Sequence, residues 1–374
     1  MKIVILVRIL WASGAQKVAI EEAKKFKQLG HDIKLVFLRK TNSGNVYLPL
    51  LEGIDWAVMA EDSSSFFTPI YDRITGLFMP DRRGEGRVDY DLIRAFPEYI
   101  INYKPELIIC HDQWAGLAGY YTFRKYGIKY VTILHESVGE YNVPVLGRIA
   151  DRYEKTVLKK SQRVFTINER IEQSLESKWD ISAIVNYHGM DSEEKRDYLL
   201  KEDLILLNSS WDANRASKVY LEILESLPNF EMKMVGRWID SSLKTKYEKL
   251  VAQYKLKDRL ELLENLGERE LMELYIRSKY LIRFGYRENG NPHGIIDSIS
   301  HGTVPILNSE LGIATIIRKY EAGIVVDSID SVPVVEAITR TNNPIEYSKI
   351  QENMNELSTT YTWKNHCELF LENL

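Results

Sequence analysis

Two strand ends and one glycine-rich turn carry the residues of this chain that can do chemistry. Leu107-Ile108-Ile109-Cys110 is an apolar run closed by His111, and Tyr130-Val131-Thr132-Ile133-Leu134 is another closed by His135. Imidazole changes charge near neutral pH, so a strand-end histidine is a candidate proton donor or acceptor. Further on, Tyr280-Leu281-Ile282-Arg283-Phe284 reads as a strand that runs into Gly285-Tyr286-Arg287-Glu288-Asn289-Gly290. Asn291-Pro292-His293-Gly294 then opens a short helix, with Asn291 expected as N-cap and Pro292 as first helical residue. Ile295, Ile296 and Ile299 share one face of that helix, and Gly302 suits a left-handed cap before the strand Val304-Pro305-Ile306-Leu307. The free N–H groups of the first turn and the positive end of the helix dipole make this corner a phosphate site.

These residues need a parallel sheet to position them. Alternation of apolar runs with amphipathic helices places polar residues at strand C-termini, in the crevice where such sheets bind ligands. The first strand, Ile3-Val4-Ile5-Leu6-Val7, leads through Trp11-Ala12-Ser13-Gly14 into a helix with Val18, Ala19, Ala23, Phe26 and Leu29 on its buried face. Gly14 lets the backbone approach a ligand without a Cβ. A second series of strands restarts at Leu204-Ile205-Leu206-Leu207, followed by the loop Asn208-Ser209-Ser210-Trp211-Asp212-Ala213-Asn214-Arg215. At 374 residues the chain exceeds one ordinary core, which predicts two α/β domains. Ser192-Glu193-Glu194-Lys195-Arg196-Asp197 is the predicted linker.

Composition narrows the class. A net charge of −4 and the lack of a long basic run give no reason to expect a nucleic-acid partner. The two cysteines, Cys110 and Cys367, lie far apart without metal-ligand spacing, as in a reduced cytoplasmic protein. His366 and Cys367 are sequence neighbours that point about 100° apart on a helix, and both read as structural. The N-terminal apolar run is too short for a signal peptide or membrane span. Residues 63–83 combine aromatics with Arg82 and Arg83. They read either as a surface helix packed by its aromatics, the preferred reading, or as an acceptor or membrane-surface element that would bring the chain to the membrane periphery.

The chain as a whole resembles the retaining, nucleotide-sugar-dependent family-4 glycosyltransferases of the GT-B fold. Their signature is a pair of glutamates with seven residues between them, the second in a helix that runs into a Gly-Pro-Val-like turn. Asp297-Ser298-Ile299-Ser300-His301-Gly302-Thr303-Val304-Pro305 is similar to the second half, with Asp297 for the second glutamate. Counting back eight positions from Asp297 gives Asn289, and the nearest acid, Glu288, is one residue further away. Asn186-Tyr187-His188-Gly189-Met190-Asp191 resembles the family's turn near the domain junction. Registering Glu222-Ile223-Leu224 on the family's Glu-Ala-Leu puts Arg215 at the position of a diphosphate-binding lysine, with Ser209 or Ser210 where an arginine is usual and Lys218 as the alternative cation.

The resemblance implies two facing doubly wound, Rossmann-like domains. Residues 1–191 would form the acceptor side, with residues 360–374 packing back on it, and residues 192–359 would bind the donor. It implies transfer of a sugar from a nucleotide diphosphate donor to a hydroxyl on a saccharide, lipid-linked or protein acceptor, with retention and with neither cofactor nor metal. Gly14 would face the donor phosphates. Arg215 and the N–H groups at Gly294 and Ile295 would take the leaving diphosphate, Asp297 the ribose hydroxyls, and Glu288 or Asn289 the donor sugar. His135 would lie at the reacting face, with His111 nearby. Two other classes share these features: a catalytically silent nucleotide-sugar binder and a sugar-nucleotide epimerase.

Overall fold

The computed structural model describes residues 1–11, 13–61, 88–138, 144–191, 201–264, 266–286 and 288–374. The aromatic and basic stretch 63–83 and the expected linker 192–197 lie outside the described residues. The chain divides into two compact units, one made of Met1–His188 and Trp363–Leu374 and a second made of Gly189–Thr362. Both are doubly wound parallel sheets, as the alternation of strands and helices predicts.

In the first unit the strands are β1 (Lys2–Leu10), β2 (Asp32–Lys40), β3 (Asp55–Glu61), β4 (Leu107–His111), β5 (Lys129–Leu134), β6 (Val164–Thr166) and β7 (Ile184–Val185). Their order is β3-β2-β1-β4-β5-β6-β7. Because successive side chains of a strand point to opposite faces, β1 feeds two cores. Ile3, Ile5 and Val7 pack with Ala19, Ala23 and Phe26 of the helix Gly14–Gln28 and with Cys367 and Phe370 of the C-terminal helix Trp363–Glu372. Val4 and Leu6 pack on the other face with Trp114, Ala115 and Ala118 of the helix Gln113–Tyr126. Sheets covered on both faces need the near-continuous apolar strands seen in the sequence.

The second unit contains β8 (Glu202–Asn208), β9 (Glu231–Val235), β10 (Leu260–Leu263), β11 (Ser278–Arg283), β12 (Val304–Asn308) and β13 (Ile324–Val326). Their order is β10-β9-β8-β11-β12-β13. Each sheet therefore reverses its winding once, between β1 and β4 and between β8 and β11. A crevice opens beyond the strand ends at such a reversal, so the loops after these four strands are where ligand chemistry belongs.

The helix after β11 starts one residue later than its sequence predicts. It spans His293–Ser300, with Pro292 as N-cap at φ −58° and ψ 126°. Proline fixes φ near the helical value but leaves ψ free, and here ψ is extended, so Pro292 ends the loop instead of opening the helix. The other end is as expected. Gly302 has φ +70°, its N–H donates to the Ile299 carbonyl at 3.2 Å, and the Thr303 N–H reaches the Ser298 carbonyl at 2.8 Å, the paired bonds of a Schellman cap.

Candidate active site

The β8/β11 reversal brings together two arginines that lie far apart in sequence. Arg215 sits in the loop after β8, ahead of the helix Val219–Ser226. Asp212 shapes that loop, its Oδ1 accepting the Asn214 and Arg215 N–H groups at 2.9 Å each. Trp211 anchors it, 1 % exposed, with its indole N–H donating to the Val235 carbonyl at 3.0 Å. Gly236, at φ +128°, passes so close that a Cβ there would lie 1.8 Å from the Ser209 carbonyl oxygen, so only glycine fits the turn after β9.

Arg283, the last residue of β11, provides the second guanidinium. Arg215 Nε donates to Glu288 Oε1 at 2.8 Å, its Nη2 donates to the same oxygen, and Arg283 Nη2 donates to Glu288 Oε2 at 2.6 Å. One carboxylate is thus held by both guanidiniums, Arg215 giving two N–H groups and Arg283 one, while Arg283 Nη1 donates to the Phe284 carbonyl; such charge-assisted donors also suit a phosphate. The sequence predicts one cation where the family has two; the structure sets Arg283 beside Arg215. It also ties Glu288, expected beside a sugar, to both arginines. Lys218 stands apart, 68 % exposed and paired with Glu222 at 2.9 Å.

At the start of the helix His293–Ser300 the Ile295 N–H donates to the Pro292 carbonyl at 3.0 Å, and the Ile295 side chain is fully buried. His293 and Gly294 remain as first-turn N–H groups without an intrahelical acceptor. A Cβ on Gly294 would come 3.0 Å from the Tyr275 hydroxyl, which itself accepts from Asn208 Nδ2 at 2.7 Å, so glycine seats the turn against the end of β8. Asp297, half-buried, has its Oδ1 3.2 Å from His293 Nδ1. Neither ring nitrogen of His293 has a hydrogen-bond partner among the described residues. Asn289 is half-buried in the preceding loop, and Asn308 pins the start of that loop. It accepts the Gly285 N–H at 2.7 Å and donates to the Gly285 carbonyl at 3.0 Å.

In the first unit Gly14 opens the helix that follows β1, at the other winding reversal. His111 ends β4 and is followed by Asp112, which is held at φ +87°, a conformation that costs a non-glycine residue strain. Asp112 offsets it by capping the next helix through Trp114 and Ala115 N–H groups at 2.8 Å each and by accepting from Arg8 Nε at 2.6 Å. His111 Nδ1 lies 3.0 Å from His135 Nε2, while His111 Nε2 lies 2.8 Å from Glu22 Oε2. The other oxygen of Glu22 meets His366 Nε2 at 2.8 Å. His366, structural by its sequence pattern, therefore belongs to a chain of hydrogen bonds that ends at His135.

Burial drives His135 far down, to about 3. Burial also pushes Glu22 upward, but His111 and His366 outweigh it and hold the carboxyl at about 2. Both shifts make acid destabilising. An unfolded histidine takes its proton near pH 6.5 and folded His135 only near pH 3, so stability present above pH 6.5 falls by about 1.4 kcal/mol per unit below it. Glu22 adds the same slope from about pH 4.5 downward. We expect His135→Asn to remove close to one proton from the pH dependence of unfolding free energy between pH 6 and pH 4, as read from denaturant curves. An unchanged slope would show that His135 is protonated in the fold.

Among the described residues no group of His, Cys, Asp or Glu is arranged to hold a metal, and no helix is long and apolar enough to cross a membrane. Residues 12–194 match the family model described as Glycosyltransferase Family 4, and residues 212–356 match that described as Glycosyl transferases group 1. No curated protein matches the sequence. Among solved structures, HepE from Anabaena in complex with UDP and glucose is similar with a TM-score of 0.75 at 12 % identity, over 100 % of this chain and 98 % of that one. Sucrose-phosphate synthase from Thermosynechococcus elongatus gives 0.73 at 14 % identity, with coverage of 100 % and 98 %. A glycosyltransferase from Rickettsia africae gives 0.71 at 17 %, with coverage of 99 % and 97 %. At such identities the likeness shows the fold.

Proposed function

We propose that this chain, a family-4-like glycosyltransferase of the GT-B fold, moves a hexose from a nucleotide diphosphate donor to a hydroxyl acceptor with retention of anomeric configuration. The observation that carries the reading is the convergence of Arg215 and Arg283 on one carboxylate at the β8/β11 reversal. When the bond from the anomeric carbon to the diphosphate breaks, negative charge grows on the phosphate oxygens. Stabilising that charge with preorganised donors is the largest service a protein can render such a transfer. Two guanidiniums and the first turn of the helix His293–Ser300 supply it, Gly14 gives the phosphates room, and Asp297 takes the ribose hydroxyls. Glu288 and Asn289 serve the donor sugar, and His135 serves the reacting hydroxyls. The complex of HepE with UDP and glucose supports a hexose on a nucleoside diphosphate, and the acceptor is proposed to be a saccharide or another hydroxyl-bearing molecule.

The test is a thermal-shift screen over nucleotide sugars, since a ligand bound only by the folded state raises its apparent stability. Incubation with acceptors and determination of the product's anomeric configuration by NMR would follow. An inverted product would refute retention, and interconversion of the donor without acceptor would indicate an epimerase. Turnover is expected to persist in excess chelator, because the arginines and helix N-terminus neutralise the diphosphate. Complete loss, restored by magnesium or manganese, would refute this.

A further inference from the structure

Glu22 is a carboxylate with no route to solvent, 0 % exposed on the buried face of the helix Gly14–Gln28. Such a group persists only if its charge is answered, and both of its oxygens meet histidine nitrogens. The proton positions follow from what each atom faces. His366 Nδ1 lies 2.8 Å from the Tyr187 carbonyl oxygen, which can only accept, so Nδ1 carries a proton. Its Nε2 faces an oxygen of Glu22, and an ionised carboxylate can only accept, so Nε2 carries a proton too. His366 is then the cation that balances the buried carboxylate.

His111 Nε2 also donates to Glu22, which leaves a single proton for the 3.0 Å contact between His111 Nδ1 and His135 Nε2. The two ring planes are within 17° of parallel and their centroids are 5.2 Å apart, close to the sum of the two ring radii and that contact, so the hydrogen bond runs near the ring planes. Placing the proton on His111 would make a second buried cation against one carboxylate. Placing it on His135 keeps the cluster neutral, the cheaper state away from water. We propose that Glu22 is a positioning residue that, through His111, holds His135 in its Nε2–H tautomer and so presents Nδ1 as a hydrogen-bond acceptor for a substrate hydroxyl. The identity of that hydroxyl, on donor sugar or acceptor, rests on the transferase reading; the tautomer does not. The arrangement resembles the way an anchored histidine is oriented by a carboxylate on its far nitrogen, with one more imidazole inserted.

The experiment is NMR of the full chain with ¹⁵N-labelled histidine, which reports the protonation of each ring nitrogen, combined with kinetics. In the parent protein His135 should show a protonated Nε2 and a bare Nδ1, and His366 should be protonated on both nitrogens. In Glu22→Gln the amide oxygen can still accept from His111, so the His135 tautomer should survive while His366 loses its Nε2 proton. In Glu22→Leu the anchor is gone; His135 should become a mixture of tautomers, and kcat should fall about tenfold, with KM for the donor changing less. Recovery of most of that loss in Glu22→Gln is the expected rescue. A protonated Nδ1 on His135 in the parent would overturn the proposal, as would a Glu22→Leu protein whose His135 tautomer and kcat both match the parent. If Glu22→Leu does not fold, the parent and Glu22→Gln spectra decide alone. The expected tautomers in a protein that transfers no sugar would refute the transferase reading and leave this one standing.

Discussion

Replacing Arg215 and Arg283 together with alanine is expected to weaken binding of a nucleoside diphosphate by about a thousandfold. Each guanidinium offers charge-assisted hydrogen bonds worth roughly 1.5–3 kcal/mol, so Arg215→Ala alone should cost about 2 kcal/mol, or roughly thirtyfold. The binding should also weaken with added salt in the parent and much less in the double variant. Lys218→Ala should leave affinity unchanged, because that side chain is exposed and engaged with Glu222. Glu288→Gln should act in the opposite direction. Its carboxylate engages both guanidiniums, so an arriving phosphate competes with it, and removing the charge should tighten nucleoside diphosphate binding severalfold. Calorimetry with a panel of nucleoside diphosphates at two salt concentrations reads all of these. Full affinity in the double variant would mean that the diphosphate lies elsewhere.

Arg215 is legible in the sequence because it stands in a loop between an apolar strand and a helix, where a cation is unsuited to serve the helix itself. Arg283 is not, although the signal is present: a charge closing the run Tyr280-Leu281-Ile282 becomes a crevice residue only once β11 is known to pair with β8. That pairing is long-range, and local pattern does not encode it. Glu22 is closer to legible. It lies on the same helical stripe as Ala19, Ala23 and Phe26, and a carboxylate inside an apolar stripe demands a partner. Its partners, His111 and His366, come from residues 89 and 344 positions away, which only the fold supplies. Strand and helix alternation, by contrast, is a local property, and it predicts both doubly wound sheets. The one-residue error at Pro292 arises because proline constrains φ alone, so its ψ is decided by the loop that Asn308 pins.

Asp297→Ala is expected to weaken binding of donor and free nucleotide alike by about a hundredfold. An ionised carboxylate offers two oxygens to a pair of adjacent hydroxyls, and two charge-assisted hydrogen bonds are worth roughly 3 kcal/mol together. Asp297 lies in the second turn of the helix His293–Ser300, with its Oδ1 3.2 Å from His293 Nδ1. Aspartate is one methylene shorter than glutamate, which places the ribose closer to the helix or bridges it through water. The assignment to ribose has its own control. A nucleotide that lacks the 2′ and 3′ hydroxyls should bind the parent weakly and should lose almost nothing more in Asp297→Ala, because the variant and the analogue remove the same pair of hydrogen bonds. Additive losses in that cycle would show that Asp297 holds something other than the ribose. Asp297→Asn separates charge from shape: it keeps one acceptor oxygen and should recover part of the affinity. Glu288→Ala, which acts on the sugar and on the arginines, should reduce turnover without weakening free nucleotide, and Asn289→Ala should do less than either. Turnover abolished in Asn289→Ala and intact in Glu288→Ala would mean that the amide, eight residues before Asp297, stands where the first acid of the pair was sought.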